Sequence, residues 1–163
     1  VSDDQVVREQ LVFLLRGGNA HITFEGAVAD FPLEQINSRP PNVAYTPWHL
    51  LEHIRIAQWD ILEFIRNPDH VSPQWPQGYW PSPDQQADEA KWEKTISGLR
   101  ADLRALQDMV EDSRTDLYAP IPHAEDYTVL REMLLVADHN AYHIGEFSIL
   151  RQVMSTWRAR DEG

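Results

Sequence analysis

The chain has 163 residues, no cysteine and a formal net charge of -12, which suits one domain with its own core and excludes disulfides, thiolate metal ligands and a cysteine nucleophile within it. So acidic a balance disfavours nucleic-acid phosphates and anionic membrane surfaces. No apolar run reaches the roughly 18 residues of a spanning helix, and the polar opening "VSDDQVVREQ" is unlike a signal peptide, so a soluble, cytoplasmic protein with no nucleic-acid or membrane partner is expected.

Helical periodicity dominates from the start. Ser2 is placed to cap a first helix with acids in its opening turn, and Val6, Val7, Leu11, Leu14 and Leu15 fall near one face before Gly17 and Gly18 stop it. A further helix is expected in "NAHITFEGAVADF", with His21, Phe24, Val28 and Phe31 at three- and four-residue spacing. The stretch "NSRPPNVAYTP" reads as a connector.

Pro47 suits the first turn of the next helix, whose Leu50, Leu51, Ile54, Ala57, Ile61 and Ile65 make a broad apolar stripe ending at Asn67. Residues 68–83 are too rich in proline for regular structure and too aromatic for a solvated linker. A third long helix is expected from about residue 84 to 113, with Trp92, Ile96, Leu99, Leu103, Leu106 and Val110 inward, and a last one from about 126 to 156. No alternating strand pattern competes. With no internal repeat, residues 1–163 read as a single all-α domain, a four-helix bundle whose long connectors leave room for crossovers.

The last helix carries apolar residues around nearly all of its circumference, yet it holds His139 and His143. At i, i+4 spacing two imidazoles stand about one turn apart and converge on one ion. Enclosed imidazoles need partners on both nitrogens, which a metal and a hydrogen-bond acceptor supply. A second such pair is His49 and His53. His53 lies on the edge of the apolar stripe in line with Asp60, whereas His49 points further toward solvent, so His53 is the expected third ligand. Three histidines from two facing helices leave coordination positions open.

The segments "PWHLLEHIRIAQWDI" and "VADHNAYHIGEFSILR" resemble those of the DinB-like superfamily, metal-binding four-helix bundles that include bacterial thiol S-transferases and mycothiol-dependent maleylpyruvate isomerase. The resemblance implies a divalent ion on His53, His139 and His143, a small-molecule substrate, a low-molecular-weight thiol as possible co-substrate, and a homodimer, to which Trp157 is a candidate contributor. Nitrogen ligands suit Zn, Ni, Fe or Co. The expected activity is metal-dependent hydrolysis or thiol transfer; the alternative is a non-catalytic bundle that binds or senses a ligand.

Further pocket candidates are His21, four residues before Glu25; His49; Asp60 and Glu146, each near a histidine; and Trp75 and Trp80, which with Tyr79 either cover the open end of the bundle or strap the connector down. Asp138 is a further possible base. His70 and His123, in loops beside prolines, are expected to be incidental.

Overall fold

A computed structural model describes residues 2–158; residue 1 and residues 159–163, the ends of the expected domain, lie outside the described residues. Four long helices are α1 (Asp3–Arg16), α3 (Pro47–Arg66), α4 (Glu89–Glu111) and α5 (Val129–Val153), with a short α2 (Phe24–Val28) after the first. Ser2 caps α1 by accepting from the Gln5 amide, and Gly17 ends it in a left-handed conformation at φ 68° that a residue with Cβ rarely adopts. The second expected helix, in the segment from Asn19, shrinks to α2, because its N-cap is Thr23; His21 and Glu25 therefore do not share a helical face.

The bundle is not a simple up-and-down array. Trp48 donates to Thr95 and Gln58 to the Leu99 carbonyl, so α3 and α4 advance together. His53 meets His143, and Gln58 meets Asn140, so α5 runs opposite to α3. Parallel neighbours need a long return, and the connector between α3 and α4 supplies it, running back along α3 from His70 at Asp60, past Tyr79 at His53, to Gln85 at His49. Asn37 holds its far end, exchanging two hydrogen bonds with Ala87 at 2.8 and 2.9 Å.

The apolar core falls into two clusters. One gathers Trp48, Leu51, Ile54, Trp92, Leu99 and Phe147; the other gathers Leu11, Leu15, Leu62, Leu106, Val110 and Met133. Between them Gln58 links α4 to α5, donating to the Leu99 carbonyl at 2.9 Å and accepting from Asn140 at 2.8 Å. The histidines of α3 and α5 lie beside this polar waist.

Several expected boundaries move. Helix α4 begins at Glu89 instead of 84, with Asp88 as its N-cap; α5 begins at Val129 instead of 126, with Thr128 as its N-cap. Asp126 belongs to a hairpin absent from the sequence reading, β1 (Pro120–Ile121) paired antiparallel with β2 (Ala124–Thr128). Helix α5 is also less enclosed than its composition suggests: Leu135, Tyr142, Ile149 and Val153 are exposed. Val6 and Leu14 of α1 are exposed too, and Val12 is buried in their place. No helix among the described residues is long and apolar enough to cross a membrane.

Candidate metal centre

Helix α3 offers His53 from its buried face, and α5 offers His139 and His143 one turn apart. Because α3 and α5 are antiparallel, the three imidazoles meet edge to edge. Nε2 of His53 lies 3.2 Å from Nε2 of His143 and 3.3 Å from Nε2 of His139, and one ligand atom from each of the three lies within 4.8 Å of the others.

The outer nitrogens decide what those inner ones present. His53 Nδ1 stands 2.8 Å from the Tyr79 carbonyl, which only accepts, so that nitrogen carries the proton and Nε2 a lone pair. His143 Nδ1 stands 2.6 Å from Oε2 of Glu146, and the same logic turns its Nε2 lone pair inward. Tyr45 donates to the other oxygen of Glu146. Two lone pairs facing each other at 3.2 Å repel unless a proton or cation lies between them.

A divalent ion fits this donor set. Nitrogens bound to one ion at about 2.1 Å stand roughly 3.0 Å apart at right angles and roughly 3.4 Å apart in a tetrahedron, and both short separations lie in that range. Two of the rings are also biased toward the protonation state such binding requires. Burial, reinforced by the neighbouring imidazoles of His143 and His53, holds His139 down at about 4. Burial likewise depresses His53, against the opposing pull of the Tyr79 carbonyl. Both shifts favour the neutral ring.

Around the cluster the walls are aromatic and acidic. Trp80 stacks flat on the His53 imidazole, with centroids 3.9 Å apart and planes 4° from parallel, and Tyr45 packs beside Trp80. Tyr142 meets His143 edge-on. A groove lined by Pro40, Val43, Tyr45, Tyr142, Glu146 and Ile149 runs along α5 from this point.

The other sequence candidates separate clearly. Glu146 and Trp80 adjoin the cluster. Asp60, buried, sits two turns along α3 from His53 and accepts from His70 Nε2 and from the Tyr79 hydroxyl, both at 2.6 Å. His49 is buried, not solvent-facing: its backbone N–H donates to Thr46, its Nδ1 accepts from the Thr46 amide and its Nε2 donates to the Gln85 carbonyl, so both nitrogens are committed to structure. His21 is exposed, bonded to the neighbouring Ile22 carbonyl, and borders a separate small cavity with Gln58 and Asn140. Trp75 is 73% exposed and touches Tyr79 edge-on, away from the histidines. Asp138 is exposed on α5. His70 is not incidental, since it is one of the two donors that satisfy Asp60. His123 donates to the Phe64 carbonyl at 2.7 Å, distant from the site.

Sequence reasoning missed Tyr45 and the backbone carbonyl of Tyr79. Neither has a local pattern, because their partners come from elsewhere in the chain.

Fold and site together define a helical bundle with three histidines that could hold a metal ion. A profile of the DinB superfamily matches residues 20–147, and the chain belongs to that superfamily. No curated protein and no solved structure matches it.

Proposed function

We propose that this protein is a divalent-metal-dependent enzyme acting on a small molecule, a hydrolase or thiol S-transferase, with His53, His139 and His143 as ligands. The observation that carries the reading is the inward convergence of three Nε2 atoms, two with their outer nitrogens tied to acceptors. A bound divalent ion would make a coordinated water or thiol more acidic at neutral pH. The protein's own groups divide the remaining work. Glu146 and the Tyr79 carbonyl orient two of the imidazoles, and Trp80 shields the buried ring of His53 from water.

Elemental analysis of protein prepared without chelator or histidine tag should find about one ion per chain, as one three-nitrogen site implies. His143→Ala should lose it, and His53→Ala and His139→Ala should lose most of it. Unchanged metal content in all three variants would overturn the assignment. A panel of ester, amide and thiol-transfer substrates then separates hydrolysis from transfer.

The same reading includes a homodimer. Tyr142, Ile149 and Val153 are 71%, 61% and 56% exposed along α5, an apolar row that solvent does not favour. Trp157 is a weaker contributor than its type suggests, because its ring already covers the Arg151 guanidinium at 3.9 Å. Light scattering at micromolar concentration should give twice the chain mass, and Ile149→Glu should halve it. A parent that is monomeric under those conditions excludes the pairing.

A further inference from the structure

We infer that Asp60 is a positioning residue for His53, acting through Tyr79: the carboxylate grips the Tyr79 hydroxyl, and the carbonyl of that same residue fixes which nitrogen of His53 faces the three-histidine cluster. The inference rests on the reading of that cluster as a metal centre, though its first measurement does not require an ion.

The geometry runs along one face of α3. His53 and Asp60 are seven residues apart, close to two helical turns, so their side chains emerge on the same side about 10 Å from each other. Tyr79 spans that gap with its two ends. Its hydroxyl donates to Asp60 Oδ2 at 2.6 Å, and its carbonyl accepts from His53 Nδ1 at 2.8 Å. The next residue, Trp80, lies flat on the same imidazole. One side-chain bond thus sets the longitudinal position of two consecutive residues, one determining the tautomer of His53 and the other the plane of its ring.

The cost of the arrangement suggests that position matters. Asp60 is 7% exposed, and among its hydrogen-bond partners there is no Lys or Arg; His70 and Tyr79 are what satisfy it. A buried carboxylate is expensive to desolvate, and an apolar side chain would fasten a connector at least as firmly. Apolar contact, however, lets a connector slide, whereas the directional bond from the Tyr79 hydroxyl to Asp60 fixes its register at His53. Register is what His53 needs. A slip of one residue would remove the Tyr79 carbonyl from Nδ1, free the proton to move to Nε2, and place an N–H where the cluster requires a lone pair.

The test compares the parent chain with Tyr79→Phe, Asp60→Ala, their double variant, Asp60→Asn and His70→Ala. Side-chain nitrogen NMR of the metal-free proteins reads the His53 tautomer, and chelator competition reads Zn²⁺ affinity. The parent should show His53 protonated on Nδ1. Tyr79→Phe, which deletes one oxygen, should give a tautomer mixture and weaken Zn²⁺ binding about ten- to a hundredfold, the usual scale for losing an outer partner of a metal ligand. Asp60→Ala should match it, and the double variant should be no weaker than either single one, since both break one link. Asp60→Asn keeps an acceptor for the hydroxyl and should recover part of the loss, while His70→Ala should leave the tautomer in place. A folded Tyr79→Phe protein with His53 still protonated on Nδ1 and Zn²⁺ affinity within about twofold of the parent would overturn the inference, as would a tautomer shift in His70→Ala equal to that in Tyr79→Phe. If Asp60→Ala does not fold, the Tyr79→Phe and His70→Ala comparison decides alone. A parent that binds no Zn²⁺ refutes the metal reading, and the tautomer comparison still decides the role of Asp60.

Discussion

The two long connectors after α3 are fastened in opposite ways. Residues 67–88, between α3 and α4, bury almost no apolar side chain: Ala87 is enclosed, Tyr79 and Trp80 are half-buried, and the segment is held by hydrogen bonds to Asp60, His53, His49 and Asn37. Residues 112–128, between α4 and α5, are held chiefly by Leu117 and Ile121, which are 0% and 2% exposed in the second core cluster. Arg8 reinforces them by donating to the carbonyls of Val110, Asp112 and Thr115. Apolar anchors supply stability without demanding a register. Directional polar anchors supply register; they supplement the apolar ones in the second connector and largely replace them in the connector that passes the histidines.

That contrast predicts separable defects. The largest concerns the second connector: Leu117→Ala removes a fully enclosed side chain and should cost about 2–5 kcal/mol in unfolding free energy, measured by urea titration. Metal content and affinity of the folded fraction should equal those of the parent. If Zn²⁺ affinity fell along with stability, the two connectors would not be independent, and the site would depend on the whole bundle rather than on residues 67–88.

A smaller effect is expected where the first connector touches His53. Trp80→Ala removes the ring stacked at 3.9 Å, a contact worth about 0.5–1.5 kcal/mol, and so should change the affinity of a Co²⁺-loaded protein for added imidazole or thiol by roughly two- to tenfold. Visible spectra of the Co²⁺ form are the measurement. Identical spectra and affinities, together with a sharp loss of thermal stability, would reduce the connector to a strap.

How far the sequence foretold this arrangement follows the same division. Periodicity located all four long helices, because each buries a recurrent stripe, and i, i+4 spacing brought His139 and His143 to one face. Helix position also pointed to His53 and Asp60. What it could not supply was the covering of those faces by distant segments. His49 looks solvent-facing on α3 alone, and it is buried because Gln85 lies over it. Tyr45 reaches Glu146 across 101 positions of sequence, so no local pattern marks it. The hairpin of residues 120–128 escaped notice because β2 buries none of its five residues completely, leaving no alternation to read. Composition could place aromatics in the first connector, but it could not rank Trp75 against Trp80.

That ranking gives the smallest and sharpest prediction. Trp75 and Trp80 flank Tyr79 in the same segment, yet Trp75 is 73% exposed and reaches Tyr79 only edge-on, with centroids 5.4 Å apart. If the connector is positioned by the Asp60 link to the Tyr79 hydroxyl, the indole of Trp75 is not needed to hold that ring. Trp75→Ala should then behave as an ordinary surface substitution, changing unfolding free energy by no more than about 0.5 kcal/mol and leaving the Co²⁺ spectrum and its response to imidazole as in the parent. Should Trp75→Ala perturb the spectrum as strongly as Trp80→Ala, Tyr79 would be held by packing on its exposed side, and the polar register argued for this connector would be wrong.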